Sequence, residues 1–203
     1  MDSFRSRIDE VLATPGIERL VEAYFRPGGP FAGETFDLLG DNPPGVVTRD
    51  DLLATTLLDI SWRPPALRQL LEPGRFDGHL AAVPADIDLW QADARVLQAA
   101  TDFQESLRKL DGVGSVTASK LLARKRPRLV PIHDRVVLRV LAPPKGRFWA
   151  TLAEALEDEA LRVRIEELRP SGVGSPSLLR LLDVAIWMRD SGSGTAIAAR
   201  REI

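Results

Sequence analysis

Hydrophobic residues recur at helical spacing along nearly the whole chain. The longest periodic run covers about residues 86–110, where apolar residues three or four positions apart form a single stripe on one helix face. Shorter runs predict helices at about residues 3–13 and 175–188, and two or three more in the region 148–168. The pattern therefore predicts an all-α fold.

The connections carry their own signals. Residues 31–39 are predicted to form a short extended segment, because they follow a proline–glycine break and end in a turn cluster. Thr48 precedes Asp50 and Asp51, which is typical of a capped helix start. Pro64 is predicted to begin another short helix.

Composition limits the chemistry. The chain has 203 residues and no cysteine, which excludes disulfides, a cysteine nucleophile, zinc–thiolate sites and cysteine-ligated iron–sulfur clusters. No apolar run approaches the roughly 20 residues that span a bilayer, and the first ten residues lack the apolar core of a secretory signal. We therefore expect a cytoplasmic protein that has no contact with a membrane.

The predicted organisation has one main domain. Residues 1–47 are expected to form N-terminal helices and the extended segment, packed on a helical domain at 48–190. Residues 191–203 begin with serine and glycine, and we expect them to form a flexible tail.

Charge is concentrated in one part of the chain. The formal net charge is −2, yet residues 107–147 contain eleven lysine or arginine residues against two aspartates. A basic segment in an otherwise acidic protein is typical of a polyanion-binding surface. A solvated helix surface has the same composition, so charge alone leaves both interpretations open.

A glycine-rich turn lies in this basic segment. Gly112 and Gly114 flank Val113, after one predicted helix ends near Leu110 and before the next begins near Ser115. Glycines at such a turn leave backbone N–H groups uncovered, and with the positive end of the following helix these form a site suited to a phosphate. Val113 is expected to point inward and hold the two helices together. An ordinary interhelix turn remains the alternative.

Residues 107–123 resemble the helix–hairpin–helix motif of the DNA glycosylase superfamily that includes endonuclease III and the adenine-mismatch glycosylases. Leu-Asp-Gly-Val-Gly-Ser-Val-Thr-Ala at 110–118 and Ile-His-Asp-Arg-Val-Val-Leu-Arg-Val at 132–140 carry the resemblance, which extends more weakly over 48–190. The first 47 residues have no counterpart there. The whole chain also resembles an uncharacterised family of actinobacterial proteins.

The resemblance implies a set of site residues. Asp134 occupies the position of the family's catalytic aspartate, with His133 and Trp62 as possible pocket residues. Asp111 replaces the family's proline, and Val116 stands where the glycosylase-lyases have lysine, so we expect no lyase activity. The residues implied in DNA binding are Gly112, Val113, Gly114, Ser115, Thr117, Lys120, Arg124, Lys125, Arg126 and Arg128.

Asp134 has two interpretations. A carboxylate can stabilise the positive charge that develops on the sugar when an N-glycosidic bond breaks, or activate the attacking water. Aspartate before a helix is also a common N-cap. The chain has two histidines, His79 and His133, so a histidine-built metal site is not expected, and neither is a cofactor.

Three functions are consistent with these observations. The first is a monofunctional DNA glycosylase that uses Asp134, and the second is a DNA-binding module without chemistry. The third is an interaction protein whose basic face meets an acidic partner. The basic residues beside the turn favour the two DNA-binding functions, whereas the charge of Asp111 counts against them.

Overall fold

The computed structural model describes residues 2–173 and 176–203. Within these residues it contains thirteen α-helices and one short 3₁₀-helix and has no β-strand, which confirms the predicted all-α fold. No helix in these two ranges is both long and apolar enough to cross a membrane.

The helices follow one another along the chain with short connections. They are α1 (Asp2–Leu12), α2 (Ile17–Phe25), α3 (Thr35–Leu38), α4 (Arg49–Thr56), α5 (Pro64–Leu70), α6 (Asp77–Ala82), α7 (Ala94–Arg108), α8 (Ser115–Lys125), α9 (Arg135–Leu141), α10 (Phe148–Leu156), α11 (Glu159–Glu166), α12 (Leu178–Asp190) and α13 (Gly194–Glu202).

The chain forms two compact units. The first unit combines the described residues up to Glu34 with Asp134–Ile203, and the second unit is Thr35–His133. The first unit therefore contains α1, α2 and α9–α13, and the second contains α3–α8. The chain passes from one unit to the other after Glu34 and after His133, whereas the predicted boundary follows residue 47.

In the first unit, α12 is the central helix and packs against α1, α2, α9, α11 and α13. Most of its side chains are buried, as in a helix surrounded by others. Arg180 is buried on α12, where its guanidinium pairs with Asp183 at 2.7 Å and donates a hydrogen bond to the Tyr24 hydroxyl at 2.7 Å. These bonds compensate the cost of burying the charge on Arg180.

In the second unit, α8 packs against α4 and α7, while α7 also packs against α6. The predicted start of α4 is confirmed, because Thr48 and Asp51 form a reciprocal capping box. The Asp51 N–H donates to the Thr48 Oγ1 at 3.2 Å, and the Thr48 N–H donates to Asp51 Oδ2 at 2.9 Å. The predicted helix after Pro64 is confirmed as α5.

Two predicted segments differ from the structure. The extended segment at 31–39 is wrong, since Thr35–Leu38 form α3 and bury Phe36. The long helix predicted from about residue 86 begins later, at Ala94, because Asp93 caps it by accepting a hydrogen bond from the Val96 N–H at 2.8 Å. Local caps, which apolar periodicity does not report, decide where α7 starts.

The flexible tail predicted at 191–203 is also wrong. Residues 194–202 form α13, which packs against α2 and α12 and buries Ala196 completely. Arg200 donates hydrogen bonds to the carbonyl oxygens of Met188 and Ser191 at the end of α12. A cation at a helix carboxyl terminus satisfies carbonyl groups that lack partners within the helix.

Arg200→Ala is therefore expected to lower the free energy of unfolding by about 1.5 kcal/mol, because it removes two charge-assisted hydrogen bonds to α12. Urea denaturation followed by circular dichroism measures this change. Arg201→Ala is the matched control, since Arg201 is the exposed neighbour on the same helix. Equal midpoints for the two variants would show that α13 contributes nothing through Arg200.

Candidate functional site

The predicted turn between two packed helices is present in the second unit. α7 ends at Arg108 and α8 begins at Ser115, and residues 109–114 form the interhelix turn. Val113 is buried, as predicted, and its N–H donates to the Leu110 carbonyl oxygen at 3.1 Å. Gly112 has φ +76°, a left-handed conformation that favours glycine.

The amino end of α8 carries no side-chain cap. Gly114 is the N-cap residue in an extended conformation, and within the described structure the N–H groups of Ser115, Val116 and Thr117 have no acceptor. A Cβ atom placed on Gly114 would meet no atom within 4 Å. The first N–H groups and the positive end of the helix dipole are therefore open to an anion.

An arginine outside the predicted binding residues, Arg63, lies against this turn. Arg63 Nη1 is 3.1 Å from Asp111 Oδ1, and the two side chains are 66% and 54% exposed. The Arg63 side chain also passes over Gly112, where an added Cβ atom would lie 2.6 Å from its Cδ. The two partners are 48 residues apart, and no motif spacing connects them.

The structure corrects the assignment of three predicted DNA-binding residues. Arg124, Lys125 and Arg126 are only 2%, 3% and 2% exposed, and we call them the buried cationic cluster. Asp51 lies completely buried beside two of them, with Oδ1 3.3 Å from Arg124 Nε and Oδ2 2.8 Å from Lys125 Nζ. A phosphate group outside the protein does not reach these side chains.

Backbone carbonyl oxygens occupy the other donors of the buried cationic cluster. Arg124 donates to the carbonyl oxygens of Phe36, Asp37 and Leu39. Lys125 donates to the Pro43 carbonyl oxygen and to the side-chain oxygen of Asn42. Arg126 donates to the carbonyl oxygens of Leu80, Val83, Pro44 and Lys125. The cluster therefore satisfies carbonyl groups at the ends of the short helices α3 and α6 and in the connection that follows α3. Burial lowers the pKa of Lys125 and of Arg126, while the Asp51 carboxylate acts on the pKa of Lys125 in the opposite direction.

The remaining predicted cations differ from each other. Lys120 is 9% exposed, and its Nζ donates to the Leu58 carbonyl oxygen at 2.7 Å, so its assignment to phosphate is corrected as well. Arg128 lies at the surface but forms a two-bond pair with Asp88, with N···O distances of 2.8 and 2.5 Å. This pairing raises the pKa of Arg128. Ser115 and Thr117, at the open end of α8, are half-buried.

Asp134 belongs to the first unit, where it is the N-cap of α9. Its Oδ1 accepts a hydrogen bond from the Val136 N–H at 2.7 Å, so the capping interpretation is confirmed. His133 is the last residue of the second unit, and its N–H donates to Ser119 Oγ at 3.0 Å. A catalytic role for Asp134 stays a prediction.

A cavity of about 860 Å³ lies on the second unit between α4 and α5. The Trp62 indole is half-buried in its wall, and Nε1 donates to the Leu52 carbonyl at 3.2 Å and to Thr55 Oγ1 at 3.0 Å. Asp59 lines the same cavity in a left-handed conformation with φ 61°. The cavity is lined by Leu52, Leu53, Thr56, Asp59, Ile60, Ser61, Trp62 and Leu67.

The site offers donors for an anion and an aromatic wall, but no assembled metal centre. Among the described residues, no group of three or more histidine, aspartate or glutamate side chains is arranged to hold a metal ion. Of this site, the turn and Trp62 were predictable from the sequence. Arg63 and the cavity walls were not, because their residues come together only in the tertiary structure.

Comparison with known proteins places the chain in a family. A family model described as "Family of unknown function (DUF6308)" matches residues 17–190, so the chain belongs to this family. The match includes most of the N-terminal segment and confirms the expected membership of an uncharacterised family. No curated protein and no solved structure matches the chain.

Asp51→Asn is expected to lower the free energy of unfolding by about 3–5 kcal/mol, because it leaves two buried cations without their carboxylate. Urea denaturation gives the value. Asp50→Asn, on the same turn of α4, is the control, since the Asp50 carboxylate accepts an exposed hydrogen bond from the Asp41 N–H at 3.0 Å. A similar loss of unfolding free energy in both variants would mean that Asp51 does not compensate the buried charge of the cationic cluster.

Proposed function

We propose that this member of the DUF6308 family binds DNA and that the interhelix turn contacts a phosphate group. The observation that carries the proposal is the amino end of α8, which has no side-chain cap. Its N-cap residue is Gly114, and no atom lies within 4 Å of a Cβ atom placed there. Successive backbone N–H groups at a helix start are suited to an anion, and phosphate contacts provide much of the affinity of DNA-binding proteins.

The resemblance of residues 110–118 to the helix–hairpin–helix motif supports the same function. The residues that support DNA binding are Gly112, Val113 and Gly114 together with the first turn of α8. The cations further along α8 do not support it, because they are buried. In this proposal the turn presents backbone groups, so binding does not depend on base sequence at this point.

The cavity beside Trp62 extends the proposed interface. Trp62, which lies in the wall of this cavity, directly precedes Arg63 along the chain. The hydrogen bonds of the indole N–H hold Trp62 in the cavity wall. Aromatic rings bind unpaired bases by stacking, so we assign this cavity to an unpaired or displaced base.

Monofunctional DNA glycosylase activity is the second candidate function. Its support is the Asp134 carboxylate, which the hydrogen bond from Val136 positions at the start of α9. In such a reaction the carboxylate stabilises positive charge on the sugar as the bond to the base breaks, and water completes the hydrolysis. Val116 offers no amine for the lyase route, and the Lys120 amine donates to the Leu58 carbonyl.

Gly114→Leu is expected to weaken binding to a 20-base-pair duplex at least fivefold, because the side chain occupies the space in front of the α8 N–H groups. The fold should persist, since Gly114 has φ −85° and no neighbour within 4 Å of a Cβ atom. Fluorescence anisotropy at several salt concentrations measures the affinity.

Gly45→Leu is the control for this substitution. Gly45 lies in a turn of the same unit, also with open space around a Cβ atom, and its replacement should leave the affinity unchanged. An affinity that is the same in Gly114→Leu and the wild type would contradict the proposed phosphate site. A wild type without salt-dependent binding to duplex or single-stranded DNA would contradict DNA binding altogether.

Asp134→Asn is expected to abolish base release in single-turnover assays on a panel of damaged and mismatched duplexes. Asparagine is as good an N-cap as aspartate, so the variant retains α9 while losing the carboxylate. Thermal melting verifies that the variant is folded. Equal release by wild type and variant would exclude Asp134 as the catalytic group, and no release by the wild type would leave the DNA-binding function alone.

A further inference from the structure

The Arg63–Asp111 pair lies beside the proposed phosphate site and is not explained by the resemblance, which has proline at position 111. We infer that Arg63 is a second phosphate-binding group of the interhelix turn and that Asp111 is the residue that positions it. This inference rests on the proposed function, because it names the side chain that completes the same site.

The backbone of Arg63 is held firmly. Arg63 is the N-cap residue of α5 and precedes Pro64 and Pro65, whose rings fix the backbone that follows. From this position its side chain reaches across to Gly112, where it fills the space in which a Cβ atom would lie. Gly112 is thus required twice, for its left-handed φ of +76° and for the passage of Arg63.

The guanidinium retains donors for a ligand. Arginine carries five N–H donors in a planar fork that matches phosphate geometry. In the described structure one side-chain bond is made, from Nη1 to Asp111 Oδ1 at 3.1 Å, and the Arg63 side chain is 66% exposed. An exposed ion pair is weak in water, so Arg63 can turn part of its fork towards a phosphate without a large cost.

The pair also explains why Asp111 is compatible with an anion site. A lone carboxylate three residues before the N-cap of α8 would repel a phosphate. Paired with Arg63, its charge is neutralised, and it holds the arginine at the edge of the turn. Asp111 is therefore a positioning residue that does not itself contact DNA.

The first test compares Arg63→Ala with Arg68→Ala in the full chain. Both substitutions remove an exposed arginine from the α5 region, but only Arg63 lies against the turn. For Arg63→Ala we expect the slope of log affinity against log salt to fall by about 0.9, which corresponds to roughly eightfold weaker binding of a 20-base-pair duplex at 0.1 M salt. For Arg68→Ala we expect less than a twofold change.

The second test is the double variant, which reports on Asp111. Asp111→Asn alone should change the affinity less than about twofold, because the loss of the positioning of Arg63 lowers the affinity while the loss of a negative charge near the phosphate raises it. In the Arg63→Ala background the unpaired Asp111 carboxylate repels the phosphate. The double variant should therefore bind the duplex at least threefold more tightly than Arg63→Ala alone. This coupling separates positioning from a merely structural contact, which would leave the two effects additive.

The outcomes distinguish this inference from the function on which it rests. If Gly114→Leu weakens binding while Arg63→Ala and Arg68→Ala have equal effects, the phosphate site stands and the role of Arg63 is overturned. Additive effects of Arg63→Ala and Asp111→Asn overturn the role of Asp111. If the wild type does not bind DNA, the proposed function fails, and the inference fails with it.

Discussion

The carboxylate of Asp51 lies completely buried between Arg124 and Lys125, and the second unit is organised around this contact. The three consecutive cations at the end of α8, Arg124, Lys125 and Arg126, are all buried, and one carboxylate and a set of backbone carbonyls surround them. Acceptors around these buried cations offset the cost of removing their charge from water, so the path of the chain through residues 36–44 is tied to the end of α8. The same Asp51 completes the capping box of α4, which links that helix to the cluster.

This constraint changes the meaning of the basic segment. Its charge density is typical of a surface that binds a polyanion, yet much of the charge satisfies the protein's own carbonyl oxygens. Lys120 acts in the same way on the Leu58 carbonyl. The open amino end of α8 lies at the surface together with Arg63, which comes from another helix start. A proposed phosphate site built from backbone N–H groups and one arginine requires fewer exposed cations than the composition suggests.

The fold and the candidate site were predictable to different degrees. The interhelix turn was predictable because glycine spacing and flanking apolar residues are local signals, and the burial of Val113 follows from them. The cap on α4 was predictable for the same reason, since Thr48 and Asp51 are three residues apart. Arg63 was not predictable, because its partner lies 48 residues away and neither residue belongs to a shared pattern. Membership of a family of unknown function adds no residue roles to these.

The sequence by itself determined the all-α class, the positions of most helices and the turn before α8, because helical periodicity, capping residues and glycine act over a few neighbouring positions. Only the tertiary structure decided which charges are inside. Lysine and arginine side chains favour solvent unless their charge is paired and hydrogen-bonded, so their burial depends on whether distant carbonyls and a carboxylate come within hydrogen-bond distance. Asp51 and residues 36–44 supply those acceptors to Arg124 and Lys125, so charges that composition assigns to a ligand instead stabilise the fold.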